Sequence, residues 1–445
     1  MLEFKYKRNK KLIFLCFLIA GMIILGLYLP YFNLLAIAIF GYSIFKVNEE
    51  DTLCIMLFML SFSPIFKLKI GGFTLFNLAI LLVIIKMLIY QRFVLPSKGG
   101  ILLIIFSFYI VFTSFYINIV ECITVICSLL LAMMLYRPEK KKYDLKKVTV
   151  FTTWGVLITS VLAIFGKNIP KIALLLDKAT IRISAGTYYY RFSGLMENPN
   201  YYTMLPSLLL AAIVILIIKK KSDFMDYLYF VGLAIFGFMS LSQSFILTFI
   251  IMLLLILVIS TYKSPKSLII MLFTFIGLFI VVYKLLDKNT IDTILFRLQS
   301  NQSNSENLGA LTSGRTELWK FYIEYIFSDI KILFLGAGIG AGNLWVGASH
   351  NYYIDMLYYL GIIGTVLYLC CIFSIFKIKR YCKKKPKVYQ YLPLIIFLIR
   401  AFARNLLLSE QLIYMFIFCS IAICEGNTVL ELKNTNYIKL KKVKI

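Results

Sequence analysis

Apolar residues recur along this chain in runs of about 17–22, separated by short polar segments, a length that lets a helix cross the hydrocarbon core of a bilayer. Backbone in hydrocarbon must satisfy its own hydrogen bonds, and the runs lack the alternation of a transmembrane barrel, so they read as helices. The pattern predicts about 14 spans, at 12–29, 31–45, 52–66, 73–90, 101–117, 120–136, 148–165, 201–218, 227–241, 244–260, 267–286, 351–376, 389–405 and 410–424. The second and third are short. The basic segment ahead of the first run imitates a secretory signal, but no small-residue cleavage site follows and more spans do, so it is read as a retained first helix.

Composition agrees with this reading, since 61% hydrophobic residues and a mean hydropathy of +0.86 over 445 residues exceed what a soluble core needs. The fold class expected is an all-α polytopic integral membrane protein, a single transmembrane domain over 1–445. A net charge of +26 would suit nucleic acid, but the Lys and Arg residues sit in short clusters between apolar runs, where they set topology instead. Eight cysteines lie within or at the ends of apolar runs (Cys16, Cys54, Cys122, Cys127, Cys370, Cys371, Cys419, Cys424), which supports neither a disulfide framework nor a zinc site.

Counted from a cytoplasmic N-terminus, the basic clusters Arg137 to Lys147, Lys219 to Lys221, Lys263 with Lys266, Lys377 to Lys387 and the Lys-rich tail all fall inside, with both termini cytoplasmic. The same count leaves two longer loops outside, at 166–200 and 287–350, and chemistry is expected there. The second holds a polar stretch from Asn301 to Asn307, then Ser313 as N-cap of a helix carrying Trp319, Tyr322 and Tyr325. An amphipathic aromatic helix of that kind lies along a membrane surface.

His350, the sole histidine, stands at the end of the long loop in the run Ala348-Ser349-His350-Asn351-Tyr352-Tyr353. It reads either as a proton acceptor at the water–membrane boundary or as a polar cap or interfacial anchor. Gly336, Gly338, Gly340 and Gly342 precede it without the Lys-Ser or Lys-Thr of a nucleotide loop, so they are read as permitting a tight turn or a close approach of backbone to a ligand. Arg182 and Arg191 in the first loop and Arg315 in the second fall on the side that the charge rule depletes. Guanidinium groups there suit a phosphate-bearing lipid, and the alternative is a solvated charge or a headgroup contact. Arg400 and Arg404 lie four apart on one face of an apolar run, where charge is costly and usually functional, with snorkelling as the alternative. Glu410 just beyond is placed to pair with either. Ser240, Ser242, Gln243 and Ser244 form a polar turn between two spans, read as a hairpin.

The ordered residues Arg191, Gly194, Asn198-Pro199-Asn200, Gly314-Arg315, Trp319, Gly336/Gly338, His350-Asn351 and Gly361 with Gly364 resemble the O-antigen ligase and polymerase superfamily over roughly residues 185–370. The resemblance implies a C-class membrane glycosyltransferase whose donor is an undecaprenyl-pyrophosphate-linked oligosaccharide, with no nucleotide sugar, cofactor or metal. It implies further that Arg191 and Arg315 neutralise the pyrophosphate, that His350 orients or deprotonates the acceptor hydroxyl, and that Asn200 and Asn351 hold sugar or loop geometry. Where many relatives carry Ser-Arg this chain has Ser242-Gln243, leaving Arg400 or Arg404 to substitute.

Taken together, the expectation is a capsular or O-antigen polysaccharide polymerase of the bacterial cytoplasmic membrane, working at its outer face among membrane lipids, with a chain-length regulator as a possible partner. Scattered acids in the outer loops (Glu197, Glu306, Glu317, Glu324) argue against a paired-carboxylate hydrolase. A ligase acting on a separate acceptor is the alternative within the family. A lipid-linked oligosaccharide flippase is the alternative outside it, and would show pseudo-symmetric halves.

Overall fold

The structure is a computed structural model that describes residues 2–66, 69–70, 73–90, 94–115, 117–135, 143–177, 180–184, 187–196, 198–261, 315–342, 344, 346–375, 386–402, 407, 411–425 and 437–439. It is helical: α1 (Leu2–Leu25), α2 (Tyr31–Lys46), α3 (Glu49–Leu60), α4 (Ser63–Phe66), α5 (Leu75–Tyr90), α6 (Ser97–Ser114), α7 (Ile119–Leu135), α8 (Leu145–Phe165), α9 (Pro170–Asp177), α10 (Pro199–Tyr202), α11 (Met204–Ile218), α12 (Phe224–Met239) and α13 (Gln243–Thr261). After these come α14 (Arg315–Ser328), α15 (Ile330–Leu335), α16 (Tyr352–Ile375), α17 (Leu392–Ala401) and α18 (Gln411–Cys424). Among the described residues strands occur only as short antiparallel ribbons: Lys69–Ile70 with Phe73–Thr74, Val94–Pro96 with Tyr437–Lys439, and Thr180–Ser184 with Thr187–Tyr190.

Among the described residues three helices are long and apolar enough to cross a membrane, Leu145–Phe165, Pro199–Ile218 and Tyr352–Ser374, and shorter apolar helices accompany them. A helix lies in each segment expected to span except 267–286, which is outside the described residues. Large apolar side chains point away from the bundle, among them Phe112 (82% exposed), Phe165 (80%) and Phe108 (74%). Water would not tolerate that surface, and lipid does; the protein is membrane-embedded. At the centre runs α11, hydrophobic on all sides and buried from Met204 to Leu216, packed against α8, α12, α13 and α17.

Caps set several helix starts. Asn48 accepts the Asp51 N–H (2.9 Å) at the head of α3, whose first turn Glu49-Glu50-Asp51 complements the helix dipole. Asp223 and Asp226 form a reciprocal capping box on α12.

Polar contacts between elements sort the helix ends into two faces. On one, Lys86 donates to Val47 O and Thr52 Oγ1 (both 2.7 Å), Lys147 pairs with Asp51 and Glu50, and Lys146 pairs with Asp223 (2.6 Å) and Asp226 (3.2 Å). Lys221 pairs with Glu425 on the same face, and Gln390 reaches Glu425 O (2.9 Å). These segments are the loops expected to be cytoplasmic. The opposite ends gather residues 191–196 and 198–200, the 240–244 turn, residues 336–342 and 346–351, and the last turn of α17.

The glycines of the second loop and those of α16 form one interlocked joint. α16 breaks at Gly361 (φ 61, ψ −174), which frees carbonyls of the preceding turn. The loop fills the gap: Ala337 N–H donates to Tyr358 O (2.7 Å) and Gly338 N–H to Tyr359 O (3.1 Å). Tyr109 OH lies 2.6 Å from Leu360 O and 2.9 Å from Leu335 O, clasping both sides, and Thr365 Oγ1 donates to Met356 O (3.0 Å). Irregular backbone survives in a membrane only where protein satisfies it, as here. A Cβ on Gly336 would stand 2.4 Å from Tyr359 O, and one on Gly361 2.5 Å from Gly336 N. The close backbone approach expected at Gly336 is therefore made to the chain's own α16 and not to a ligand.

Candidate functional site

Asn198 opens the site. Its side chain accepts the Asn200 N–H (3.0 Å), and Pro199 takes the first helical position, where a missing N–H costs nothing. The short turn α10 that follows presents Asn200 and Thr203 toward the ends of α12 and α17. Two arginines distant in sequence meet there.

Arg191, expected from sequence to suit a phosphate-bearing lipid or else to be a solvated charge or headgroup contact, is 8% exposed. Its Nε donates to Ser240 O (3.0 Å), and its Nη2 donates to Leu241 O (3.1 Å) and reaches Asn200 Oδ1 (3.4 Å). The turn that receives it is more than a hairpin: Leu241 adopts φ 49, uncommon for a branched side chain, and the two carbonyls beside it accept the guanidinium. Ser242 Oγ donates to Asn200 Oδ1 (2.5 Å) and lies 3.1 Å from Ser244 Oγ.

Arg400 enters from the other side and is fully buried, 0% exposed, which excludes snorkelling. Its Nη2 donates to Asn200 O (2.9 Å) and Thr203 Oγ1 (2.5 Å), and its Nε approaches Met204 Sδ (3.3 Å). Asn200 is thus held by one guanidinium at its side chain and by another at its carbonyl. Planar forks with several fixed donors make such shared contacts, and a lysine at either position would not. α17 ends at Ala401, and Arg404 and Glu410 lie outside the described residues.

The second group of site residues surrounds the start of α16. Asn351 caps it, its Oδ1 accepting from Tyr353 N–H (3.0 Å) and Ile354 N–H (3.3 Å), so its side chain holds loop geometry. His350, half-buried just before it, has φ 51. Ser349, fully buried, accepts the Trp319 indole N–H at its carbonyl (2.9 Å), and its hydroxyl donates to Asp355 Oδ1 (2.5 Å). Tyr322 OH donates to Gly347 O (2.7 Å), so α14 clamps the loop at two points one turn apart. Tyr322 is 1% exposed while Ile323 and Phe327 face outward at 44% and 67%. Arg315 heads α14, one helical turn before Trp319, and partial burial draws its pKa below the usual arginine value. Ser313, the expected cap, lies outside the described residues.

The two groups adjoin through α17. Tyr353 OH donates to Leu398 O (3.0 Å), the Tyr353 and Phe402 ring centroids are 4.6 Å apart, and the Tyr352 ring is 6.2 Å from that of Phe397. The segment expected as an outer loop at 166–200 contains α9 and the ribbon Thr180–Ser184 with Thr187–Tyr190; Arg182 lies on that ribbon opposite Tyr188. Asp355 is the residue that sequence reading passed over. An acid inside a predicted span was its signal, the same one that singled out Arg400.

No protein-family model, curated protein or solved structure matches this chain.

Proposed function

We propose that the protein is a polysaccharide polymerase that joins undecaprenyl-pyrophosphate-linked oligosaccharide repeat units at the outer face of the bacterial cytoplasmic membrane. The observation that carries this reading is the convergence of two buried arginines, Arg191 and Arg400, on Asn200, on the face opposite the basic clusters. Guanidinium groups fixed at that depth suit a lipid-borne pyrophosphate, whose charge they would stabilise as it leaves. In the reaction an acceptor hydroxyl oxygen bonds to the donor's anomeric carbon, the bond from that carbon to the pyrophosphate oxygen breaks, and the hydroxyl proton passes to His350. Pyrophosphate is a good leaving group, so positioning and charge neutralisation supply most of the acceleration. Arg315 would approach the same donor from the α14 side, and Arg182 and Arg404 remain candidate donor contacts.

Deletion of the gene, followed by complementation with wild type, Arg191→Ala, Arg400→Ala or His350→Ala at matched membrane levels, tests the reading through surface glycan resolved on a gel. Wild type is expected to restore a ladder of repeat units and the variants only single repeats. Long polymer accumulating on the carrier in the deletion strain would favour ligation to a separate acceptor, and units trapped on the cytoplasmic face would favour transport.

A further inference from the structure

Asp355 takes no part in the chemistry above, yet it is 1% exposed and sits in the first turn of a helix of membrane-spanning length. An ionisable group in such a place is costly to keep unless it holds something. One oxygen, Oδ1, accepts the Ser349 hydroxyl proton at 2.5 Å; the other, Oδ2, is buried and has no donor among the described residues. Ser349 in turn accepts the Asn351 N–H at its hydroxyl (3.0 Å) and the Trp319 indole N–H at its carbonyl (2.9 Å). The Asp355 N–H closes the turn by donating to Asn351 O (2.9 Å). The carboxylate thus holds Ser349, and the Ser349 hydroxyl, also 3.1 Å from Asn351 O, joins Ser349 to Asn351 across His350, which lies between them with φ 51, in the left-handed region.

We infer that Asp355 is a positioning residue for His350, acting through Ser349 to hold the imidazole-bearing backbone at the mouth of α16. This inference rests on the glycosyl-transfer reading for its catalytic consequence, but not for its structural one. With one rigid path from carboxylate to hydroxyl to the peptide groups flanking His350, loosening either partner displaces the imidazole while leaving the arginine cluster at Asn200 intact. Misplacement by about 1 Å costs up to roughly 100-fold in rate.

Because His350 is the sole histidine, the full-length protein carrying a non-histidine affinity tag and labelled at histidine gives one imidazole signal by NMR in nanodiscs. Asp355→Asn keeps the volume but exchanges the carboxylate for a weaker amide acceptor that loosens its hold on Ser349, and Ser349→Ala removes the link from the other side, so at least one variant is expected to fold. Both are expected to move the His350 signal in the same direction. In transfer assays with a lipid-linked repeat unit, both are expected to lower kcat about 10-fold to 100-fold with donor KM within about threefold of wild type. Placed in a His350→Ala background, Asp355→Asn is expected to change the residual rate by less than about twofold, as for residues acting as a unit. An unmoved His350 signal overturns the inference, and so does a loss in Asp355→Asn that multiplies that of His350→Ala. If His350→Ala transfers at the wild-type rate, the role given to His350 in the transfer reading fails, while the NMR signal still decides whether Asp355 positions it.

Discussion

Gly361 and Gly336 give the sharpest test of the joint between the second loop and α16. An alanine at Gly361 would hold φ 61, which costs a residue with a Cβ about 1 kcal/mol. Its Cβ would also lie 2.5 Å from Gly336 N and from the carbonyl carbon and oxygen of Phe334, all backbone atoms that no rotamer change can clear. Relief requires the 334–338 segment to withdraw, which breaks the Ala337–Tyr358 and Gly338–Tyr359 hydrogen bonds and leaves two carbonyls unsatisfied, at about 1–2 kcal/mol each. The expected loss is roughly 4 kcal/mol, large enough to deplete folded protein. Gly342→Ala is the matched control: φ 78 but nothing within 4 Å of the added Cβ, so only the backbone cost of about 1 kcal/mol applies. Gly21→Ala, helical and with open space around it, is expected to be neutral or stabilising by up to about 1 kcal/mol. Thermal challenge in detergent followed by size-exclusion chromatography reads the surviving monodisperse fraction. The expected order of stability is Gly21→Ala, then Gly342→Ala, then Gly361→Ala and Gly336→Ala together at the bottom. Equal midpoints for Gly361→Ala and Gly342→Ala would refute the interlock.

Other expectations follow from the same contacts. Tyr109→Phe removes the hydroxyl that clasps Leu335 O and Leu360 O, and should lower the detergent melting midpoint by an amount corresponding to about 1–2 kcal/mol without changing donor affinity. Arg400→Lys should lose transfer activity nearly as fully as Arg400→Ala, because one ammonium cannot serve Asn200 O, Thr203 Oγ1 and a substrate in the guanidinium's geometry; a rate within threefold of wild type would oppose that. Asp223 is held below the usual carboxylate pKa, first by its hydrogen bond from Lys146. A lowered folded pKa adds stability above the unfolded value of about 3.9 and loses it as pH falls through the folded one. The midpoint difference between wild type and Asp223→Asn should therefore be small but present at pH 7, since Asp223 is more than half exposed, and should vanish in acid.

Much of the helical layout was legible because apolar runs have only one way to satisfy their backbone in lipid. Arg191 was legible as a charge on an unexpected side, but its burial was not, since the carbonyls that receive it lie about 50 residues along the chain at Ser240 and Leu241. The Gly336/Gly338 and Gly361/Gly364 groups were visible separately; that they lock together depends on a helix break 25 residues downstream, which local pattern does not encode. Asp355 carried a readable signal, a charge within a span, and needed only the rule already applied to Arg400. The shared contact of Arg191 and Arg400 at Asn200 is a tertiary event joining three segments, and no spacing in the chain announces it.

The central claim is that the buried arginines serve glycosyl transfer, and reconstitution tests it most directly. Purified protein in liposomes, supplied with a fluorescent undecaprenyl-pyrophosphate-linked repeat unit and no nucleotide, is predicted to yield oligomers of increasing length together with free undecaprenyl pyrophosphate. Both should be lost in Arg400→Ala and Arg191→Ala proteins that remain monodisperse. An intact donor that only moves from one leaflet to the other would contradict the account.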